Sequence, residues 1–222
     1  MKYGIIGALE EEVRLLTAEM AVERTTEACG CKFFDGTLDG KAVTVVCCSV
    51  GKVNAAVCTA LLIHQHGCGA IVNVGVAGAM GAGLRPLDVV LSNEVIVHDI
   101  DDLALKYYPF TRRFLPDQTL LAAAEAVCAG TIPYRVGRIA TGDQFIAGGE
   151  PAERIRAVYA PDAVEMEGGA VAQASFMSGV PFLIVRTMSD SADSDANETY
   201  DNFLERAAAR SAQIVRGMLQ RL

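Results

Sequence analysis

The chain contains no tryptophan and only three histidines in 222 residues. It also lacks any run of about 18 apolar residues, the length that marks a membrane span. The opening Met1-Lys2-Tyr3 leads straight into Gly4-Ile5-Ile6-Gly7, too short for a signal-peptide core. Lys and Arg total 19 against 27 Asp and Glu, a formal charge of −8, and no cluster of basic residues interrupts that balance. A nucleic-acid surface is thereby excluded, because phosphate neutralisation needs grouped cations. No low-complexity segment, internal repeat or linker divides the chain, so one domain over residues 1–222 is expected. These absences point to a cytoplasmic protein with a small-molecule partner, no nucleic acid and no membrane.

Seven cysteines, at 29, 31, 47, 48, 58, 68 and 128, raise the question of disulfides or a metal. Cys47 and Cys48 are neighbours in a strand-like run, where adjacent side chains point to opposite faces and cannot share one ion. Cys29-x-Cys31 has no second pair at zinc-finger spacing, and reduced thiols are the default in a cytoplasmic chain. No metal is expected. His64-x-His66 ends a predicted helix, where an i,i+2 pair diverges, and a C-terminal cap is expected rather than a ligand pair.

What the chain does have is a 51% hydrophobic composition, enough for an α/β domain whose sheet is buried on both faces. Residues 31–38 and 41–48 read as a hairpin around Asp39-Gly40, a dipeptide that favours a type I′ turn. Helices are expected near 52–66, 117–129, 151–158, 167–178 and 200–220, and strands near 70–76, 87–97, 134–140 and 181–186. The sheet is therefore mixed, and His98 to Pro116 is the one long loop.

Acids stand where the strands end. Glu12 follows the opening strand, Glu165 and Glu167 follow Val164, and Asp190 follows the apolar run 181–186. In open α/β sheets the ligand crevice lies beyond the carboxyl ends of the strands, so these acids can meet in one pocket and stabilise a cation-like species. Glu10, Glu11 and Glu12 all suit a first helical turn, and at most one or two can face inward. Glu165 and Glu167 share a face if both lie in a strand and diverge if 167 opens a helix. Gly4-x-x-Gly7 lacks the full dinucleotide-loop spacing and is crowded by acids. Gly75 and Gly78 leave open two roles, backbone packing and close approach to a ligand.

The segments Gly4 to Val13, Val50 to Ala55, Gly75 to Gly78, Thr141 to Ile146, Val164-Glu-Met-Glu167 and Arg186-Thr-Met-Ser-Asp190 together resemble the 5′-methylthioadenosine/S-adenosylhomocysteine nucleosidases. Order and spacing match over nearly the whole chain. The resemblance implies a nucleoside phosphorylase-like, three-layer α/β/α sandwich with a mixed central sheet, a homodimer, no cofactor and an adenine nucleoside as substrate. It implies hydrolysis of the N-ribosidic bond with release of adenine, through an oxocarbenium-like state. Asp190 would protonate the purine at N7, holding its proton through burial or a hydrogen bond with Ser189. Glu12 would be the general base for water, and Arg186 would hold both water and carboxylate. Glu167 would bind ribose hydroxyls, Met166 would lie under the sugar, and Phe145 with Ile146 would contact adenine.

Three departures bear on substrate. Val76 replaces a serine frequent in the family, removing one polar contact. Tyr200 replaces a phenylalanine over the 5′ substituent. In the loop after Asp99, Asp102 and Lys106 make a segment that would reach the partner's 5′ pocket more polar. The candidate substrates are therefore methylthioadenosine, S-adenosylhomocysteine, 5′-deoxyadenosine and the futalosine precursor. Two rivals stand beside hydrolysis: a phosphate-dependent phosphorylase, which needs basic residues where this chain has three acids, and a non-catalytic nucleoside-binding protein, which would not need Asp190.

Overall fold

The computed structural model of the chain describes residues 1–190, 192 and 196–222, with side chains from 203 onward in the last segment. Ten strands form one mixed sheet. Strand β1 (Tyr3–Gly7) is followed by helix α1 (Glu10–Glu19), then by β2 (Ala21–Ala28), β3 (Cys31–Leu38) and β4 (Lys41–Cys47). Asp39 and Gly40 both have positive φ, 49° and 79°, as the type I′ reading of the β3–β4 turn requires. Helix α2 (Lys52–His64) leads to β5 (Ala70–Ala79) and β6 (Val89–Val97). The segment expected as a long loop carries a 3₁₀ turn over 102–106 and a two-residue strand, β7 (Arg113–Phe114), pinned by the buried Phe114 and paired with β6. Helix α3 (Gln118–Cys128), β8 (Tyr134–Thr141), α4 (Gly149–Tyr159), β9 (Ala163–Glu165), α5 (Gly168–Ser178), β10 (Phe182–Asp190) and α6 (Ala196–Leu219) complete the order.

Helices α1, α3 and α6 bury Val13, Leu16, Leu120, Ala124, Ile214 and Val215 against one face of the sheet. On the other face α2 and α5 bury Ala55, Cys58, Leu62 and Val171, which gives the three layers. Helix α4 closes a smaller cluster of Met80, Ile146, Ile155 and Val164. The sheet also curls. β10 pairs with both β5 and β6, β6 with β8, β8 with β9, and β9 returns to β5, so five strands close into a ring. The remaining strands extend from it in the order β1, β4, β3, β2. Parallel pairing of β1, β5 and β10 brings their carboxyl ends to one rim, and β9 meets β5 there.

Two expectations change. β2 was not foreseen, because its residues AVERTTEA are mostly exposed and lack the apolar alternation that marks a strand in sequence. It lies at the sheet edge, where polar residues also discourage pairing with another chain. His66 is not a helix cap. It is buried, stacks on Phe33 with ring centroids 4.7 Å apart, and places Nδ1 3.1 Å from both oxygens of Asp35. Lys2, Arg24 and Thr44 donate to the same carboxylate, so the histidine is one side of a buried polar cluster.

All seven cysteines are free thiols. Cys48 is buried and Cys47 half-buried, as neighbours on opposite faces should be. Burial pushes the Cys58 thiol up to about 12 and Cys68 to about 11, which keeps both protonated and unreactive. Among the described residues, no group of three or more His, Cys, Asp or Glu is placed to hold a metal, and no helix is long and apolar enough to cross a membrane.

Candidate active site

A pocket with about 450 Å³ of unfilled space opens at the rim where β1, β5, β9 and β10 end. Glu12, Val76, Phe145, Met166, Glu167, Ser189 and Asp190 all line it, together with Ala8, Leu9 and Val50. Ile146 joins Phe145 and Asp190 around an adjoining recess. Arg186 lies beneath the floor, 1% exposed. Tyr200 falls in α6, but its side chain lies outside the described residues.

Of the three acids after β1, only Glu12 is buried. Leu9 caps α1 without a side-chain acceptor, so the free N–H groups of Ala8 and Leu9 turn to Glu12 Oε2, at 2.7 and 3.1 Å. The Val76 N–H donates to Glu12 Oε1 at 3.0 Å. A carboxylate offers about four acceptor sites. With two N–H groups on Oε2 and one on Oε1, one site remains for a water molecule. Burial raises the Glu12 pKa above the usual carboxylate value, opposed by the charge of Arg186 and by these N–H donors.

Gly75 and Gly78 turn out to make room for acids. A Cβ on Gly75 would lie 2.6 Å from Glu12 Oε1, and one on Gly78 would lie 2.9 Å from Asp190 Oδ1. Gly168 does the same for Glu165, whose oxygens would be 3.1 Å away. The two strand glycines are three residues apart on β5, so one strand seats both acids.

Asp190 ends β10 next to an irregularity in its pairing with β5, and both it and its neighbour Ser189 reach the pocket. Asp190 Oδ1 accepts from the Ala192 N–H at 2.8 Å, and Ser189 Oγ lies 2.8 Å from Oδ2 and 3.4 Å from the Ala77 carbonyl. The hydroxyl has one hydrogen. When it donates to Ala77, it accepts the proton of a neutral Asp190.

The Glu-Met-Glu segment takes the diverging alternative: β9 ends at Glu165 and Glu167 is the N-cap of α5. Glu167 Oε1 accepts the Gly51 N–H at 2.8 Å, at the start of α2, while among the described residues Oε2 has only Arg186 at 3.9 Å. Burial and the charge of Glu165 push its pKa up to about 8. Glu165, not assigned a role from sequence, is the main partner of Arg186. Arg186 was expected to hold the general base and its water. Instead its Nη2 donates to Glu165 and to Asn73 Oδ1, the latter at 2.6 Å, and Nη1 donates to the Val185 carbonyl. It acts on Glu12 through charge alone. The sequence held one signal for Glu165, its place at the end of a short apolar run.

Asp102 is exposed and pairs with Arg112 of its own chain, which in turn donates to Tyr159 at 2.7 Å.

The phosphorylase superfamily profile matches residues 2–220. The 5′-methylthioadenosine/S-adenosylhomocysteine nucleosidase of Colwellia psychrerythraea is 40% identical over 235 residues, covering 100% of this chain and 97% of its own. That of Anoxybacillus flavithermus is 37% identical, with 100% and 99% covered. The Neisseria meningitidis nucleosidase, solved with methylthio-immucillin-A, superposes with a TM-score of 0.95 at 35% identity, covering 100% of this chain and 99% of that one. The futalosine hydrolase of Helicobacter pylori superposes at 0.94 with 30% identity, covering 100% and 98%. Full-length agreement in sequence and fold gives one conclusion: the chain belongs to the 5′-methylthioadenosine/S-adenosylhomocysteine nucleosidase family of the phosphorylase superfamily.

Proposed function

We propose that the protein hydrolyses the N-ribosidic bond of 5′-substituted adenosines, methylthioadenosine and S-adenosylhomocysteine, releasing adenine, and that the unit acting is the whole of residues 1–222. The observation that carries the reading is the pair Glu12 and Asp190, lining one pocket and each seated against a glycine of β5. Glu12 takes a proton from water through its remaining acceptor site, and Asp190 delivers one to the purine N7. Glu167 Oε2 faces the ribose hydroxyls, Met166 lies under the sugar, and Phe145 and Ile146 frame the base. Val76 contributes its N–H to Glu12 in place of a hydroxyl to water. Leu9 and Val50 give the pocket an apolar wall suited to a thioether 5′ group.

Water is favoured over phosphate because, among the described residues, no Lys or Arg lines this pocket and both Nη atoms of Arg186 are committed below it. We read the assembly as a homodimer. Val53, Met177, Leu103 and Tyr107 are more than half exposed, and Val53 and Met177 flank one groove on the side of α2 and α5.

Adenine release from methylthioadenosine without phosphate tests the reaction. Asp190→Asn should lower turnover about 10²–10⁴-fold, the range of general acid catalysis. On a nitrophenyl riboside, whose leaving group needs no protonation, Asp190→Asn should recover much of its rate while Glu12→Gln does not. Equal defects of both variants on that substrate would remove Asp190 as the acid.

A further inference from the structure

Glu165 lines the pocket, yet its side chain is only 2% exposed and its carboxylate is turned to partners within the protein. Its Oε1 accepts the Thr141 hydroxyl, and its Oε2 accepts Arg186 together with the N–H groups of Glu167 at 3.1 Å and Gly168 at 2.7 Å. Oε2 is saturated by its three donors, and Oε1 is held by Thr141. Both members of the Glu165–Arg186 pair have side chains only 2% exposed, and Gly168 is the residue whose missing side chain admits the carboxylate. So buried an ion pair is seldom retained for stability, since desolvation offsets most of its attraction.

We propose that Glu165 is a positioning residue for the hydrolysis: by claiming the Arg186 guanidinium on one side and the first N–H groups of α5 on the other, it keeps Glu12 basic and sets Glu167 at the pocket wall. This inference rests on the hydrolase reading above. Its logic is charge. Arg186 is the cation beneath Glu12, and unopposed it would hold Glu12 ionised at lower pH and make it a weaker base. The Glu165 charge opposes it from the far side. The other groups facing Glu12 are Cys47 and Cys48 at the end of β4, Asp190 on β10 and Glu167 on α5, with the exposed Glu10 and half-buried Glu11 on its own helix. Behind Glu165 stands His98, which burial keeps neutral and which has Lys52 and Asp99 beside it. On α6, Glu205 pairs with the exposed Arg14 of α1 and Arg216 with Glu19.

The test is the pH profile of kcat/KM for adenine release by the purified protein. The acidic limb reports the base, so Glu165→Gln should move that limb down by about 1–3 pH units, the effect of an unbalanced neighbouring charge, and lower kcat. The alkaline limb should stay. Glu165→Asp keeps the charge and should keep the limb while losing rate. Because Glu165→Gln strands a buried cation and can fail to fold, the double variant Glu165→Gln/Arg186→Gln removes both charges together. Its acidic limb should return to the wild-type position. An unmoved limb in Glu165→Gln, an equal shift in Glu165→Asp, or a raised limb in the double variant would overturn the proposal. No adenine release by the wild type would instead sink the hydrolase reading on which it rests.

Discussion

Gly75 shows how much the site depends on an atom that is missing. Glu12 is tied by three backbone N–H groups, and a methyl group at position 75 would stand 2.6 Å from its Oε1. The carboxylate cannot retreat without breaking those bonds. Gly75→Ala should therefore lower kcat about 10²-fold, the cost of misplacing a reacting group by about 1 Å, with a native far-UV spectrum. Wild-type kcat in a folded Gly75→Ala variant would refute the steric role. From sequence Gly75 and Gly78 left packing and ligand approach both open, because a glycine records that space is needed and not what fills it. The acids were visible as residues at strand ends. Which of Glu10, Glu11 and Glu12 turns inward was not, since the choice is made by the orphan N–H groups of Ala8 and Leu9.

At the scale of elements, two helix N-termini meet the paired acids: the leading Gly51 of α2 donates to Glu167, and the first N–H groups of α5 donate to Glu165. Oriented N–H groups at such ends favour a carboxylate. The same α2 and α5 present Val53, exposed to 74%, and Met177, exposed to 53%, around a groove shared with Ile100. Exposed apolar residues grouped in this way suit a two-fold contact, in which one patch meets its own copy. Light scattering should give a dimer mass for the wild type and a monomer mass for Val53→Asp/Met177→Asp. A monomeric wild type would refute the assembly. Helices α2 to α6 were readable from apolar period to within a few residues. The missed strand β2 had too few apolar residues to show a period at all.

For the whole molecule, two buried polar centres set opposite limits on pH. Hydrogen bonds from Lys2, Thr44, His66 and Arg24 outweigh burial and hold Asp35 well below the usual carboxylate range. Its stabilising contribution is present above the unfolded value of 3.8 and is lost as pH falls toward the lowered folded value. Glu167 behaves in the opposite sense. With its folded pKa raised from 4.5 to about 8, its burial is tolerated fully below 4.5 and costs stability progressively as pH rises through about 8. Thermal melting should therefore be most resistant between those limits. Asp35→Asn should lower Tm at neutral pH and flatten the acid decline, whereas Glu167→Gln should flatten the alkaline one. An alkaline decline in Glu167→Gln as steep as in the wild type would show that its proton is not the source.

The sequence by itself determined the class of fold, the order of most elements, the presence of acids at successive strand ends and, by resemblance, the reaction, because hydrophobic period and motif spacing are local properties of the chain. Tertiary structure decided what those local signals leave open. It closed the sheet into a ring through the second pairing of β10, brought Glu165 under Arg186 from 21 residues away, and assigned Gly75, Gly78 and Gly168 each to a carboxylate. Such contacts join residues far apart in the chain, and their energies come from burial and charge in a shared interior that no single segment contains.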